Sequence, residues 1–145
     1  GYGDCVSVCQ FDALTMNEYR LPVVDEIKCT ACGNCVRECP KNLFSIHPLN
    51  HRLWVACSNK LRGKNAKNAC AVACIGCGLC AKDAPDLITM ENNLPKVQYE
   101  KNDLASESAI QRCPTGAIVW LAENGEIVYG EKAVVPENKE PLPIG

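Results

Sequence analysis

The sequence predicts an α+β chain of two tandem, similar units, each built of short strands and small helices with a pseudo-twofold relation between its halves. Three observations predict it. Twelve of the 145 residues are cysteine, and most fall at two- and three-residue spacings. The chain repeats itself at intervals of 73–75 residues: GYGDC (1–5) matches GCGLC (76–80), CQFDALTM (9–16) matches APDLITM (84–90) with one deletion, LPVVDEIKC (21–29) matches LPKVQYEKN (94–102), and CPKNLFSI (39–46) matches CPTGAIVW (113–120). Aromatic residues are only 6% of the chain, so the core is small and whatever the cysteines bind helps to hold it together. The repeat sets the organisation: a first unit over 1–47, a linker over 48–69 with a short strand and a basic loop, a second unit over 70–121, and a hairpin end with a Pro/Glu-rich tail over 122–145. The chain begins at Gly1-Tyr2-Gly3, inside a motif and without an initiator Met, and is expected to be a piece of a longer protein.

In the first unit the strongest signal is CTACGNCVRECP (29–40), a C-x2-C-x2-C-x3-C-P series formed by Cys29, Cys32, Cys35, Cys39 and Pro40. Three thiolates two residues apart on a tight, glycine-containing loop can wrap three corners of a [4Fe–4S] cube. The fourth cysteine starts a different direction of chain, and in two-cluster ferredoxins it ligates the other cluster. Zinc is the alternative, but zinc sites favour paired C-x2-C knuckles separated by a longer loop. The crossing rule then calls for an earlier C-x3-C pair, and CVSVCQ supplies Cys5 and Cys9. Cys9 completes the cluster of Cys29, Cys32 and Cys35. Cys5 and Cys39 belong to a second cluster, whose other two ligands are expected upstream of residue 1. The units are therefore read as ferredoxin-like, of the bacterial dicluster 2[4Fe–4S] type.

The second unit carries Cys74, Cys77 and Cys80, but Ala84 stands where Cys9 stands in the first. Asn102, Ala105 and Ser108 replace Cys29, Cys32 and Cys35; counting back from Cys113 gives Asp103, Ser106 and Ala109 instead, again without a thiol. The four losses together make up one cluster's ligand set. The other set survives as Cys74, Cys77, Cys80 and Cys113, with Pro114 following. One cluster is read as deleted as a block, leaving one [4Fe–4S] cluster in this unit. The stretch therefore carries two complete clusters, and a third that needs upstream residues. Simple decay of the unit would not spare Cys113. The vacated position should be filled by Ala84, Leu104 or Ala105, and Ile110, with Asn102, Asp103, Ser106 and Ser108 facing solvent or capping a short helix. Cys70-x3-Cys74-x5-Cys80 is a competing spacing, so Cys70 competes with Cys77; otherwise Cys57 and Cys70 are free buried thiols or a redox-labile pair.

Between the units, RLWVAC (52–57) alternates as a strand does, and NKLRGKNAKN (59–68) carries Lys60, Arg62, Lys64 and Lys67 without an acid. That run reads either as a solvated loop or as a docking patch for an acidic electron-transfer partner. His47 and His51 read as ordinary surface residues. AIVWLAENGEIVYG (117–130) predicts a hairpin across Asn124-Gly125, with Trp120 on the core. The net charge of −2 gives no footprint for nucleic acid. No apolar run approaches the ~20 residues a bilayer span needs, and no signal peptide is visible. No nucleophile–base constellation, phosphate loop or dinucleotide fingerprint appears, so the chain shows no catalytic site of its own. A cluster held by four cysteines has no open position for substrate, which points to electron transfer.

GYGDCVSVCQFDAL, LPVVDEIKCTACGNCVRECPKNL, ACIGCGLC, ENNLP and CPTGAI together resemble the ferredoxin-like region of the B subunit of Rnf electron transport complexes. The resemblance covers residues 1 to about 120. Members of that family usually carry a further C-x2-C-x2-C series where this chain has residues 102–109. The resemblance implies an N-terminal membrane anchor, a place on the cytoplasmic side of the inner membrane, and other complex subunits as partners. It also implies electron exchange with ferredoxin or a similar small redox protein, in a complex that reduces NAD and moves ions. Two other classes stand beside it: a wiring domain of a soluble oxidoreductase, and a structural or regulatory iron–sulfur module.

Overall fold

The repeat shows first in the strands. In a computed structural model that describes residues 1–134, β1 (Leu14–Met16) pairs antiparallel with β2 (Pro22–Val24), and β4 (Ile88–Glu91) pairs antiparallel with β5 (Leu94–Val97). Leu14 faces Val24 in the first ribbon, and their repeat equivalents Ile88 and Val97 face each other in the second. The second turn is tight because Asn92 and Asn93 both take positive φ, 51° and 65°. This is the type I′ geometry that suits the twist of a two-residue hairpin, and Asn tolerates it better than most residues. In the first ribbon the Asn17 side chain does the turning: its Oδ1 accepts the Tyr19 and Leu21 amides at 3.0 and 2.9 Å.

The chain divides into two units, residues 1–47 and a second that begins at Pro48. The first holds helices α1 (Asp4–Ser7) and α2 (Asn34–Glu38), which pack together, and the β1–β2 ribbon. Asn34 Nδ2 donates to the Val8 carbonyl at 3.4 Å and ties α2 to the end of α1. Its apolar interior is slight: Cys5, Ala13 and Leu14 are buried, while Val23, Val24, Leu43 and Ile46 are exposed. Unlike its repeat equivalent in the second unit, CPKNLFSI (39–46) forms no strand among the described residues. A strand needs a partner for its amides and carbonyls, and none of the described strands pairs with residues 39–46.

The second unit holds β3 (Leu53–Val55), helices α3 (Gly63–Ala69) and α4 (Leu79–Asp83), the β4–β5 ribbon, two 3₁₀ helices (Tyr99–Leu104 and Glu107–Ile110), β6 (Ile118–Leu121) and β7 (Ile127–Val128). β6 is the middle strand of a three-stranded antiparallel sheet, with Val55 opposite Ile118 and Leu121 opposite Ile127. The hairpin across Asn124-Gly125 is present, and Asn124 Oδ1 accepts the Glu126 amide at 3.1 Å. The run expected as a basic loop is in part helical: Gly63–Ala69 forms α3. Its alanines and lysines are good helix formers, and Ala66 is fully buried on its inner side.

Leu53, Leu87, Ile88, Val97, Ala109, Ile110 and Ile118 form the core of the second unit, with Ala84, Ala105, Tyr99 and Trp120 packed against it. Ala84, Ala105 and Ile110, the residues expected to fill the vacated position, thus join the hydrophobic core. Leu104 does not join them; it is 55% exposed, and Ala105 takes the inward place. Asp103, Ser106 and Ser108 face solvent, but Asn102 is half-buried and donates through Nδ2 to the Asn50 carbonyl at 3.0 Å. The described part of the expected tail, residues 131–134, forms a turn held by Lys132 N donating to Gln111 O at 3.2 Å; the rest lies outside the described residues.

This contrast carries an expectation. Buried apolar side chains, worth ~1.5–3 kcal/mol each when fully covered, abound in the second unit and are few in the first. Chelation of iron should therefore abolish amide-exchange protection in β1 and β2 while β5 and β6 keep part of theirs. Equal loss in both ribbons would contradict a core-supported second unit.

Candidate metal centres

Three glycines build the same local device. Gly3, Gly33 and Gly78 have φ of 86°, 80° and 73°, and each immediately precedes a helix whose second residue is a cysteine: Cys5, Cys35 and Cys80. A side chain at such φ costs ~1–2 kcal/mol, and only Met90 Cγ lies within 4 Å of where a β-carbon at Gly78 would sit, so the demand there is conformational. None of the three helices has a side-chain N-cap. In two of them early amides face sulfur: the Cys35 and Val36 amides favour the Cys35 thiolate, and the Ala81 amide favours that of Cys80.

In the second unit Cys74, Cys77, Cys80 and Cys113 line one pocket, closed by Met90, Pro95 and Ile118 among others. Cys113 arrives there through a turn in which its amide donates to the Ile110 carbonyl at 3.1 Å. Its Sγ lies 3.9 Å from Oγ1 of Thr115, a buried polar side chain that no motif in the sequence marks. Cys77 is part of this pocket; Cys70, exposed at the end of α3, is not. Burial pushes the Cys80 thiol up to about 11, with added repulsion from Cys74, Cys113 and Cys77. Burial likewise raises Cys74, helped by Cys57, Cys113 and Cys77. One cation near the pocket, Arg112, is engaged by a carboxylate: its Nε donates to Asp83 Oδ2 at 2.9 Å, and a guanidinium nitrogen also pairs with Oδ1.

Such a crowd of thiols calls for metal cations. Among the described residues no three Cys, His or carboxylate groups close on a single-ion position. Four thiols spread around a pocket fit a multi-iron cluster better than one zinc with ligands at ~2.3 Å. Because iron binds the thiolate, loading must expel protons from raised thiols such as Cys80. Anaerobic reconstitution should accordingly be more complete at about pH 9 than at about pH 7, with protons released in proportion to iron; a pH-independent yield would contradict this.

In the first unit Cys29 and Cys32 both add repulsion to Cys35, whose thiol is raised mainly by burial, so these three are neighbours. Cys9 and Cys39 stand at the ends of α1 and α2 in matching amide nests. The Phe11 and Ala13 amides lower the Cys9 thiol, and the Leu43 amide, 3.5 Å from the sulfur, lowers that of Cys39. Cys5 is buried within α1.

Cys57 does not pair with Cys70. Its Sγ accepts the Asn59 amide at 3.4 Å and the Cys74 amide at 3.3 Å, setting a fifth thiol beside the pocket. No spacing in the sequence signals this, because the contact spans 17 residues. His51 is more than a surface residue: it stacks on Tyr99 with ring centroids 4.2 Å apart, and Tyr99 Oη donates to the Leu53 carbonyl at 2.8 Å. His47 Nε2 lies 2.9 Å from Ser45 Oγ.

Fold and cysteine pattern define an iron–sulfur electron-transfer protein with two tandem [4Fe–4S] ferredoxin domains. Residues 3–50 match the family described as a 4Fe-4S dicluster domain, and residues 71–120 the family described as a 4Fe-4S single cluster domain of ferredoxin I. The chain is 40% identical over 132 residues to the B subunit of the Na(+)-translocating ferredoxin:NAD(+) oxidoreductase complex of Acetobacterium woodii, a match that covers 90% of this chain and 38% of that protein. It is 43% identical over 134 residues to the B subunit of the proton-translocating ferredoxin:NAD(+) oxidoreductase complex of Clostridium ljungdahlii, covering 91% of this chain and 47% of that one. A ferredoxin of Thermococcus litoralis is 44% identical over 48 residues, 32% of this chain and 81% of its own. The chain belongs to the [4Fe–4S] ferredoxin family. It spans less than half the length of the two B subunits named here.

Proposed function

We propose that the chain passes single electrons between [4Fe–4S] clusters as part of the B subunit of an Rnf-type ion-translocating complex. Its partners are the other subunits and ferredoxin or a similar small redox protein. The convergence of Cys74, Cys77, Cys80 and Cys113 on one pocket carries this reading, since Cys113 lies 33 residues beyond Cys80 in the sequence. These four hold one cluster; Cys9, Cys29, Cys32 and Cys35 hold another. Cys5 and Cys39 contribute to a third, whose remaining two ligands are not among residues 1–47. When bound, a cluster saturated by four thiolates supplies one-electron chemistry and no substrate position. The chain's own contribution is to fix the thiols, donate amides to the sulfurs and exclude water with Met90, Pro95 and Ile118, which tunes the potential. With one cluster, the second unit is a terminus or a relay to a partner.

Within such a complex this region lies at the cytoplasmic face of the membrane; among the described residues no helix is long and apolar enough to cross one. Iron analysis with EPR before and after dithionite reduction tests the function. Reversible one-electron signals from two clusters support it. Iron that is present but cannot be reduced would make the clusters structural.

A further inference from the structure

We infer that the basic segment around α3 is the docking surface through which an acidic redox protein reaches the second unit's cluster site. This rests on the reading of that site given above, and it adds the surface and the kind of partner. Residues 48–82 contain six basic residues and no acid, while the rest of the chain holds nine basic residues and seventeen acids. A chain of net charge −2 is thus sharply segregated. Lys60, Arg62, Lys64 and Lys67 are all exposed, and none forms an ion pair among the described residues. Two acids on neighbouring elements, Glu91 of β4 and Asp83 of α4, are engaged by Lys96 and Arg112.

The fold fixes this charge against the thiol loop. The Gly63 amide donates to the Ile75 carbonyl at 2.9 Å, between Cys74 and Cys77. Asn93 Nδ2 donates to the Lys60 carbonyl at 3.0 Å. A β-carbon at Gly76 would meet Arg62 Cγ at 3.3 Å, so the Arg62 stem lies on the same loop. Ala66, fully buried, anchors α3 from below. Cys77 is exposed beside this surface, which brings the site to solvent where the charge gathers. Exposed Leu61 supplies an apolar contact within the patch. A charged rim of one sign steers an oppositely charged partner and raises the encounter rate more than it deepens final affinity. In the docked pair one electron leaves the donor's reduced centre and enters the acceptor's; no bond or proton moves.

The test uses the whole chain, reconstituted anaerobically, with a purified acidic two-cluster ferredoxin as probe and a basic c-type cytochrome as control. Arg62→Glu/Lys64→Glu/Lys67→Glu should weaken binding of the acidic probe by roughly tenfold or more at low ionic strength and flatten its salt dependence. The double variant Lys64→Glu/Lys67→Glu, which leaves the Arg62 contact intact, should show part of the same loss. Lys28→Glu/Lys101→Glu/Lys132→Glu makes the same charge change elsewhere and should have little effect. Equal weakening by this control, no weakening by the patch variants, or preference of the wild-type chain for the cytochrome would each overturn the docking surface. Iron content and EPR of the same samples report the cluster separately, so a missing cluster would refute the site while binding still decides the patch.

Discussion

Replacing Cys113 by serine should lower iron by about four per chain and remove one EPR signal, as much as replacing Cys77 does, while Cys70→Ser should leave both nearly unchanged. The expectation rests on placement. Cys113 shares a pocket with Cys74, Cys77 and Cys80, whereas Cys70 is exposed at the end of α3 and lines no part of it. Three ligands leave one corner of the cube open to solvent and oxidation, and serine is a poor substitute for a thiolate. Iron retained in Cys113→Ser but lost in Cys70→Ser would move the site to the Cys70, Cys74, Cys80 spacing. Cys57 offers a further check: it contacts the Cys74 amide from outside the pocket lining, so Cys57→Ser should keep the iron count.

Truncating Ile110 to alanine should cost the second unit ~2–5 kcal/mol, a large share of the stability of a domain this small. Ile110 is fully buried in the second 3₁₀ helix, which packs on β6, and its backbone supports two neighbours. Its carbonyl accepts the Cys113 amide at 3.1 Å, and Gly130 packs so closely that a β-carbon there would collide with the same carbonyl. The residue thus links the hydrophobic core to the turn that presents Cys113. Denaturant unfolding of the reconstituted chain measures the loss, and iron retention at the midpoint shows whether cluster and core fail together. A change below ~0.5 kcal/mol would show that Ile110 is not part of a tightly packed core.

Much of this protein was legible in the amino-acid order because cluster ligation is written in local spacing. Cys29, Cys32 and Cys35 are held by one loop, so their spacing alone brings them together. The glycine two residues before the last of them, like Gly3 and Gly78, is chosen by a backbone angle that neighbouring residues cannot change. Repeat matching likewise carries Leu14 and Val24 onto Ile88 and Val97, which pair in the same way. The exposed Leu104 with inward Ala105 and the helix in the basic run were decided by contacts with distant segments. So were the seat of Cys57 beside Cys74, the stacking of His51 on Tyr99 and the seating of α3 on the Cys74–Cys77 loop. Each depends on chain brought together across many residues, where packing and pairing partners outweigh local preference. The sequence by itself determined the local spacing from which the cysteine sets are proposed; only the tertiary structure decided what surrounds them, because covering a pocket is a property of the packed core and not of any one stretch of chain.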